Sequence, residues 1–120
     1  MKTECGIKAR LLPGVRFLFI PTEFLNVLAI VFEEYEKQGC GVFITGASEE
    51  GYMEGGYHDQ GYAWDFRTKN LSNPLLAVGG VYFRLRKLSL LYRVLYHDTG
   101  NGSHMHIEFR IDGDPCPEGY

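Results

Sequence analysis

Gly61-Tyr62-Ala63-Trp64-Asp65-Phe66-Arg67 is the stretch on which the fold turns. Side chains along a β-strand alternate between two faces. Tyr62, Trp64 and Phe66 therefore share one side, and Gly61, Ala63, Asp65 and Arg67 the other. Three aromatics in alternation predict a strand with one face in a core. The opposite face presents a carboxylate beside the small Ala63, where a bulkier residue would crowd whatever Asp65 holds. A second segment, His104-Met105-His106-Ile107-Glu108-Phe109-Arg110-Ile111, repeats the design. Met105, Ile107, Phe109 and Ile111 form its core face, while His104, His106, Glu108 and Arg110 share the polar one.

The flanking sequence predicts a sheet covered by helices. Val15 to Ile20 reads as a short apolar strand, followed by Pro21-Thr22-Glu23 as a helix start, with Thr22 as cap and an acid in the first turn. The spacing predicts a helix from Phe24 to Gln38. Its residues Leu25, Leu28, Val31, Phe32 and Tyr35 recur at helical intervals, Glu33, Glu34, Glu36 and Lys37 take the wet side, and Gly39 supplies a stop. Gly41 to Thr45 has the content of a buried strand and runs into an acidic, Gly-rich loop from Gly46 to Gly56, in which Glu49, Glu50 and Glu54 read as solvated, with one of them able to reach the cleft. Asn73-Pro74 starts a second helix, with Asn73 capping and Pro74 at the first position; Gly79-Gly80 is the place for an interruption. Leu90 to His97 reads as a strand that the turn cluster Asp98-Thr99-Gly100-Asn101-Gly102 folds back onto His104 to Ile111 as a hairpin.

Composition narrows the function classes. A chain of 120 residues has room for one compact domain, 1–120, with one core. The net charge of -3, with Lys and Arg scattered rather than striped, argues against nucleic acid as a partner. Cys5, Cys40 and Cys116 are odd in number and form no Cys-x-x-Cys pair, so they read as free thiols in a reducing compartment rather than as a thiolate zinc site. Met1-Lys2-Thr3-Glu4-Cys5 lacks the apolar run of a signal peptide, and no segment reaches the length of a membrane span. The expectation is a protein made in the cytoplasm.

Three of the four histidines fall in the two segments around Asp65. His58, Asp65 and His106 supply two imidazoles and one carboxylate, the set that leaves a fourth position open on a catalytic zinc ion. Residues 58 to 65, if fully extended, would span about 23 Å. His58 must then sit on a loop that curls back over Asp65, with Gly61 permitting the sharp turn. His97, beside Asp98 at a turn, reads as a surface histidine. Non-haem iron oxygenases use a similar ligand set, but the short His-x-Asp spacing is absent. A cupin reading of His104-x-His106 with Glu108 would leave His58 unexplained.

The pattern His58-x-x-Gly61-x-Ala63-x-Asp65, followed by His104-x-His106, resembles the signature of the zinc D-Ala-D-Ala peptidases and their phage endolysin relatives, grouped with lysostaphin-type enzymes and hedgehog domains. The resemblance covers the organisation from Gly41 to Ile111, and Val42-Phe43-Ile44-Thr45-Gly46 is similar to the strand leading into the family's active-site loop. It implies a small α+β domain with an antiparallel sheet, helices packed on one face and a zinc site on the other. It further implies Zn2+ held by His58, Asp65 and His106, with His104 as the assisting catalytic histidine. Tyr57 and Arg67 are near enough in sequence to contact substrate, and Glu108 is placed to orient an imidazole or act as a spare base. The implied activity is hydrolysis of peptide bonds in peptidoglycan stem peptides or cross-links by a monomer, made without an export signal and reaching the cell wall through a phage holin or a virion.

The chain departs from the family pattern in three respects. Gly56 stands where a serine is common, and Ser103 where many endolysins carry a catalytic glutamate. Ala47 and Ser48 replace an arginine that holds a substrate carboxylate, which shifts the expectation from carboxypeptidase toward endopeptidase. The alternative function is a non-catalytic zinc-binding interaction domain of the hedgehog type.

Overall fold

The alternating stretch becomes the central strand of a five-stranded sheet in a computed structural model that describes residues 7–99 and 102–120. Cys5, and Gly100 and Asn101 of the expected turn cluster, lie outside the described residues. The elements in chain order are β1 (Ala9–Leu11), α1 (Thr22–Glu36), β2 (Val42–Gly46), β3 (Ala63–Arg67), α2 (Pro74–Leu88), β4 (Tyr92–Thr99) and β5 (Gly102–Phe109). The strand order is β1-β2-β3-β5-β4. All neighbours are antiparallel except β1 and β2, which run parallel. The expected α+β class holds, but the sheet is mixed rather than antiparallel.

One face of that sheet is the core. Val42 and Ile44, Trp64 and Phe66, Tyr92 and Val94, and Met105 and Ile107 all turn inward, and Val27, Val31, Tyr35, Val78, Val81 and Leu85 from the helices close over them. Trp64 and Phe66 are fully buried, as their alternation predicted. Tyr62 is half-buried, edge-on to Phe19 with ring centroids 5.4 Å apart. Burying each such aromatic removes a large apolar area from water, which is the main drive for the sheet and helices to associate. Tyr35 adds a polar tie by donating its hydroxyl to the Arg67 carbonyl at 2.6 Å.

Several local expectations are corrected. Val15 to Ile20 is not a strand: Pro13-Gly14 turns the chain, with Val15 N–H bonded to the Leu12 carbonyl, and the sheet-edge slot beside β2 is taken by β1. The backbone of Arg16 instead serves the loop after β2, accepting from Ser48 N–H and donating to Glu49. Thr22 is inside α1 rather than its cap, which falls to Pro21 with no side-chain hydrogen bond. The buried stripe of α1 is Phe24, Val27, Ile30, Val31 and Tyr35, so Leu25 is exposed. Glu34, expected on the wet side, is buried and paired with Lys37 at 2.8 Å and Arg84 at 3.0 Å. Helix α2 begins as predicted, Asn73 accepting from Leu76 N–H at 3.3 Å with Pro74 behind it, but continues unbroken through Gly79-Gly80. The β4–β5 hairpin forms, and Ile111 lies beyond the end of β5 and is exposed.

Candidate metal site

The face of the sheet opposite the core carries the polar residues of β3 and β5, and strand register brings them together. Asp65 on β3 pairs directly with His106 on β5, and Arg67 with His104. Side chains directly opposite on antiparallel strands lie within reach of each other. His106 Nδ1 is 2.9 Å from Asp65 Oδ1. His58 arrives from the loop between β2 and β3. Gly61 at φ +87° supplies the turn that a residue with a Cβ rarely adopts, and brings His58 back so that Nε2 lies 3.4 Å from Asp65 Oδ2. One ligand atom from each of His58, Asp65 and His106 lies within 4.8 Å of the others. The curled loop inferred from the spacing is present.

The donor set fits a divalent cation in its details. Metal-ligating imidazoles generally donate the other ring N–H to a carbonyl or carboxylate, which fixes the tautomer. His58 Nδ1 donates to the Ala47 carbonyl at 2.6 Å, so Nε2, 3.4 Å from Asp65 Oδ2, is the nitrogen turned toward the cluster. His106 Nε2 is 2.8 Å from Glu108 Oε1, so its Nδ1 is the nitrogen turned toward Asp65 and His58. Glu108 is thus the imidazole orienter, itself buried and approached by Arg110 at 3.6 Å.

Without a cation, the cluster is an ion pair network. Burial alone would raise the Asp65 pKa, but hydrogen bonds from His106 and His58 hold it well below the usual carboxylate range. Burial alone would lower the His106 pKa, but hydrogen bonds to Asp65 and Glu108 outweigh it and push it up to about 9. Only the protonated ring satisfies a carboxylate at each nitrogen.

Tyr52, missed in the sequence, and Glu49, one of three loop acids named there, complete the surroundings. Tyr52 stacks on His58 with ring centroids 3.7 Å apart and an 8° interplanar angle, and its hydroxyl donates to Asp65 Oδ2 at 2.8 Å. Glu49 reads as a solvated loop acid but accepts from Ala47 N–H at 2.9 Å and Arg16 N–H at 3.2 Å, pinning the loop. The β2–β3 pairing slips between Ile44 and Gly46, so that Gly46 faces Asp65. A Cβ at Gly46 would overlap the Tyr52 hydroxyl and approach Asp65 Oδ2 to 2.8 Å, so glycine is required there. No periodicity marks either residue, because both sit in an irregular loop.

A cleft of about 290 Å³ opens beside Asp65, lined by Thr45, Arg67, Lys69, Ser103 and His104 among others. Burial, reinforced by His97, His106 and His58 against the pull of Asp65, lowers the His104 pKa and favours the neutral ring. His97 is exposed, its ring 5.0 Å from that of His104. Arg67 lies over the Phe43 ring at 4.9 Å, and among the described residues neither Arg67 nor Lys69 meets a carboxylate at ion-pair distance. Tyr57 is elsewhere: its hydroxyl donates to Asp112 at 2.7 Å, in a separate depression with Gly55, Gln60 and Ile111. Cys40 and Cys116 are free thiols away from the cluster. No helix among the described residues is long and apolar enough to cross a membrane. Comparison with known proteins returns no match to a family model, a curated protein or a solved structure.

Proposed function

We propose that this chain is a zinc-dependent peptidase that hydrolyses peptide bonds in peptidoglycan stem peptides or cross-links, acting on the cell wall as a phage-type lytic enzyme. The observation that carries the reading is the convergence of His58, Asp65 and His106, each imidazole held by its other nitrogen, at the edge of a cleft that also holds a neutral-leaning histidine. A zinc ion bound there supplies Lewis acidity and a water activated near neutral pH.

The chain's own residues divide the remaining work. His104 lies two residues from His106 on the same strand face, and its lowered pKa suits it to accept a proton from the attacking water and pass it to the leaving amine. Glu108 keeps His106 turned toward the ligand cluster. Arg67 and Lys69 give the cleft a positive end, which suits peptides bearing free carboxylates such as peptidoglycan stems. They stand in for the arginine that Ala47 and Ser48 replace, so removal of a terminal residue and cutting of a cross-link are both open to this cleft.

Zinc-loaded protein incubated with purified sacculi, followed by mass spectrometry of released fragments, tests the proposal. New peptide termini are expected, and they identify the bond. Intact sacculi and uncut muropeptides in the presence of bound zinc would leave the non-catalytic, hedgehog-like zinc domain as the better reading.

A further inference from the structure

Tyr52 touches two of the three candidate ligands at once. Its ring lies flat on the His58 imidazole, centroids 3.7 Å apart and 8° from parallel, and its hydroxyl donates to Asp65 Oδ2 at 2.8 Å. The backbone makes room for this arrangement, since any side chain on Gly46 would displace the Tyr52 hydroxyl. Glu49, tied through Oε1 to Ala47 N–H and Arg16 N–H, pins the loop and brings its carboxylate beside the same hydroxyl. A stack of this kind restricts ring rotation of a histidine that already has one nitrogen fixed on the Ala47 carbonyl. The hydroxyl occupies one carboxylate oxygen and leaves the other, Oδ1, facing His106 Nδ1 at 2.9 Å.

We propose that Tyr52 is a positioning residue for the metal, fixing the plane of His58 and confining Asp65 to binding through a single oxygen. The inference rests on the metal-site reading above. A carboxylate with both oxygens free tends to chelate, which raises the coordination number and fills the position a reacting water needs. The phenol on Oδ2 prevents that without itself ligating.

The test compares wild type with Tyr52→Phe and Tyr52→Ala, titrated with Zn2+ against a chromophoric chelator and with Co2+ by visible absorption. Tyr52→Phe keeps the ring on His58 and loses only the hydroxyl, with its hydrogen bonding to Asp65 and Glu49. Loss of a group that holds a ligand costs about 10-fold to 100-fold in metal affinity, and that range is expected for Tyr52→Phe, with a larger loss for Tyr52→Ala. The Co2+ bands of Tyr52→Phe are expected to weaken relative to wild type, the signature of a higher coordination number. Where the alanine variant fails to fold, the phenylalanine variant carries the test alone, with circular dichroism of the metal-free form as the control. Wild-type affinity and an unchanged Co2+ spectrum in folded Tyr52→Phe would overturn the role of Tyr52 while leaving the metal site standing. Absence of stoichiometric Zn2+ and Co2+ binding by wild type would overturn both.

Discussion

Metal capture at this site must expel a proton, and the structure sets the scale of the effect. His106 is pinned between Asp65 at 2.9 Å and Glu108 at 2.8 Å, and these hydrogen bonds overcome burial to push its pKa up to about 9. A cation needs the Nδ1 lone pair, so at pH 7 it competes with a proton held two pH units above ambient. Each unit is a factor of about ten, so the apparent affinity at pH 7 is reduced about 100-fold relative to the limit above pH 9, or about 2.7 kcal/mol. The expected result is a roughly tenfold gain in apparent Zn2+ affinity for each pH unit between 7 and 8.5, flattening near 9. Competition against a chelator of known pH dependence measures the slope. Calorimetry in two buffers of different ionisation enthalpy counts the protons, about one per ion at pH 7.5. An affinity constant from pH 7 to 8.5, or binding with no proton released, would refute the assignment of His106 Nδ1 as a ligand.

The same linkage predicts the stability of metal-free protein. The His106 pKa is raised on folding, so its contribution is present in full below about pH 6.5 and is lost as pH rises through about 9. Chelator-treated protein should melt progressively lower across that window, by up to about 3 kcal/mol, while zinc-loaded protein should not; parallel pH profiles would contradict it. Substituting His104→Ala should leave Zn2+ binding intact and lower hydrolysis of cross-linked peptides by about 10²-fold to 10⁴-fold, as read by product mass spectrometry. Gly46→Ala should cost about 1–3 kcal/mol in denaturant titration by overpacking the Tyr52 hydroxyl. Phe66→Ala, in the core beneath the site, should cost about 3–5 kcal/mol.

Legibility in the sequence followed periodicity. Trp64 and Phe66 against Asp65, and Met105 and Ile107 against His106, alternate cleanly because each strand has one dry and one wet face. The return of His58 over Asp65 was legible too, since residues 58 to 65 in extended form could not bring the two together and Gly61 offered the turn. The parallel β1 was hidden, because Ala9–Leu11 is an edge strand of only three residues, too short to show an alternation, while the longer apolar run Val15 to Ile20 lies in the connection and leaves Leu18 and Ile20 exposed. Glu34 reads as a surface acid on any helical wheel, and the approach of Arg84 from α2, together with Lys37 on its own helix, makes its burial tolerable. Tyr52 and Glu49 could not be read from spacing at all. Their roles come from where an irregular loop crosses Gly46, a consequence of tertiary structure and not of local pattern.

X-ray absorption at the zinc edge, on wild-type protein carrying one equivalent of Zn2+, probes the coordination most directly. Two imidazole nitrogens with the remaining positions filled by oxygen, all at about 2.0–2.2 Å, are expected from His58, His106, Asp65 and water. A sulfur shell at about 2.3 Å, which would implicate the free cysteines, or the absence of stoichiometric zinc, would contradict the site.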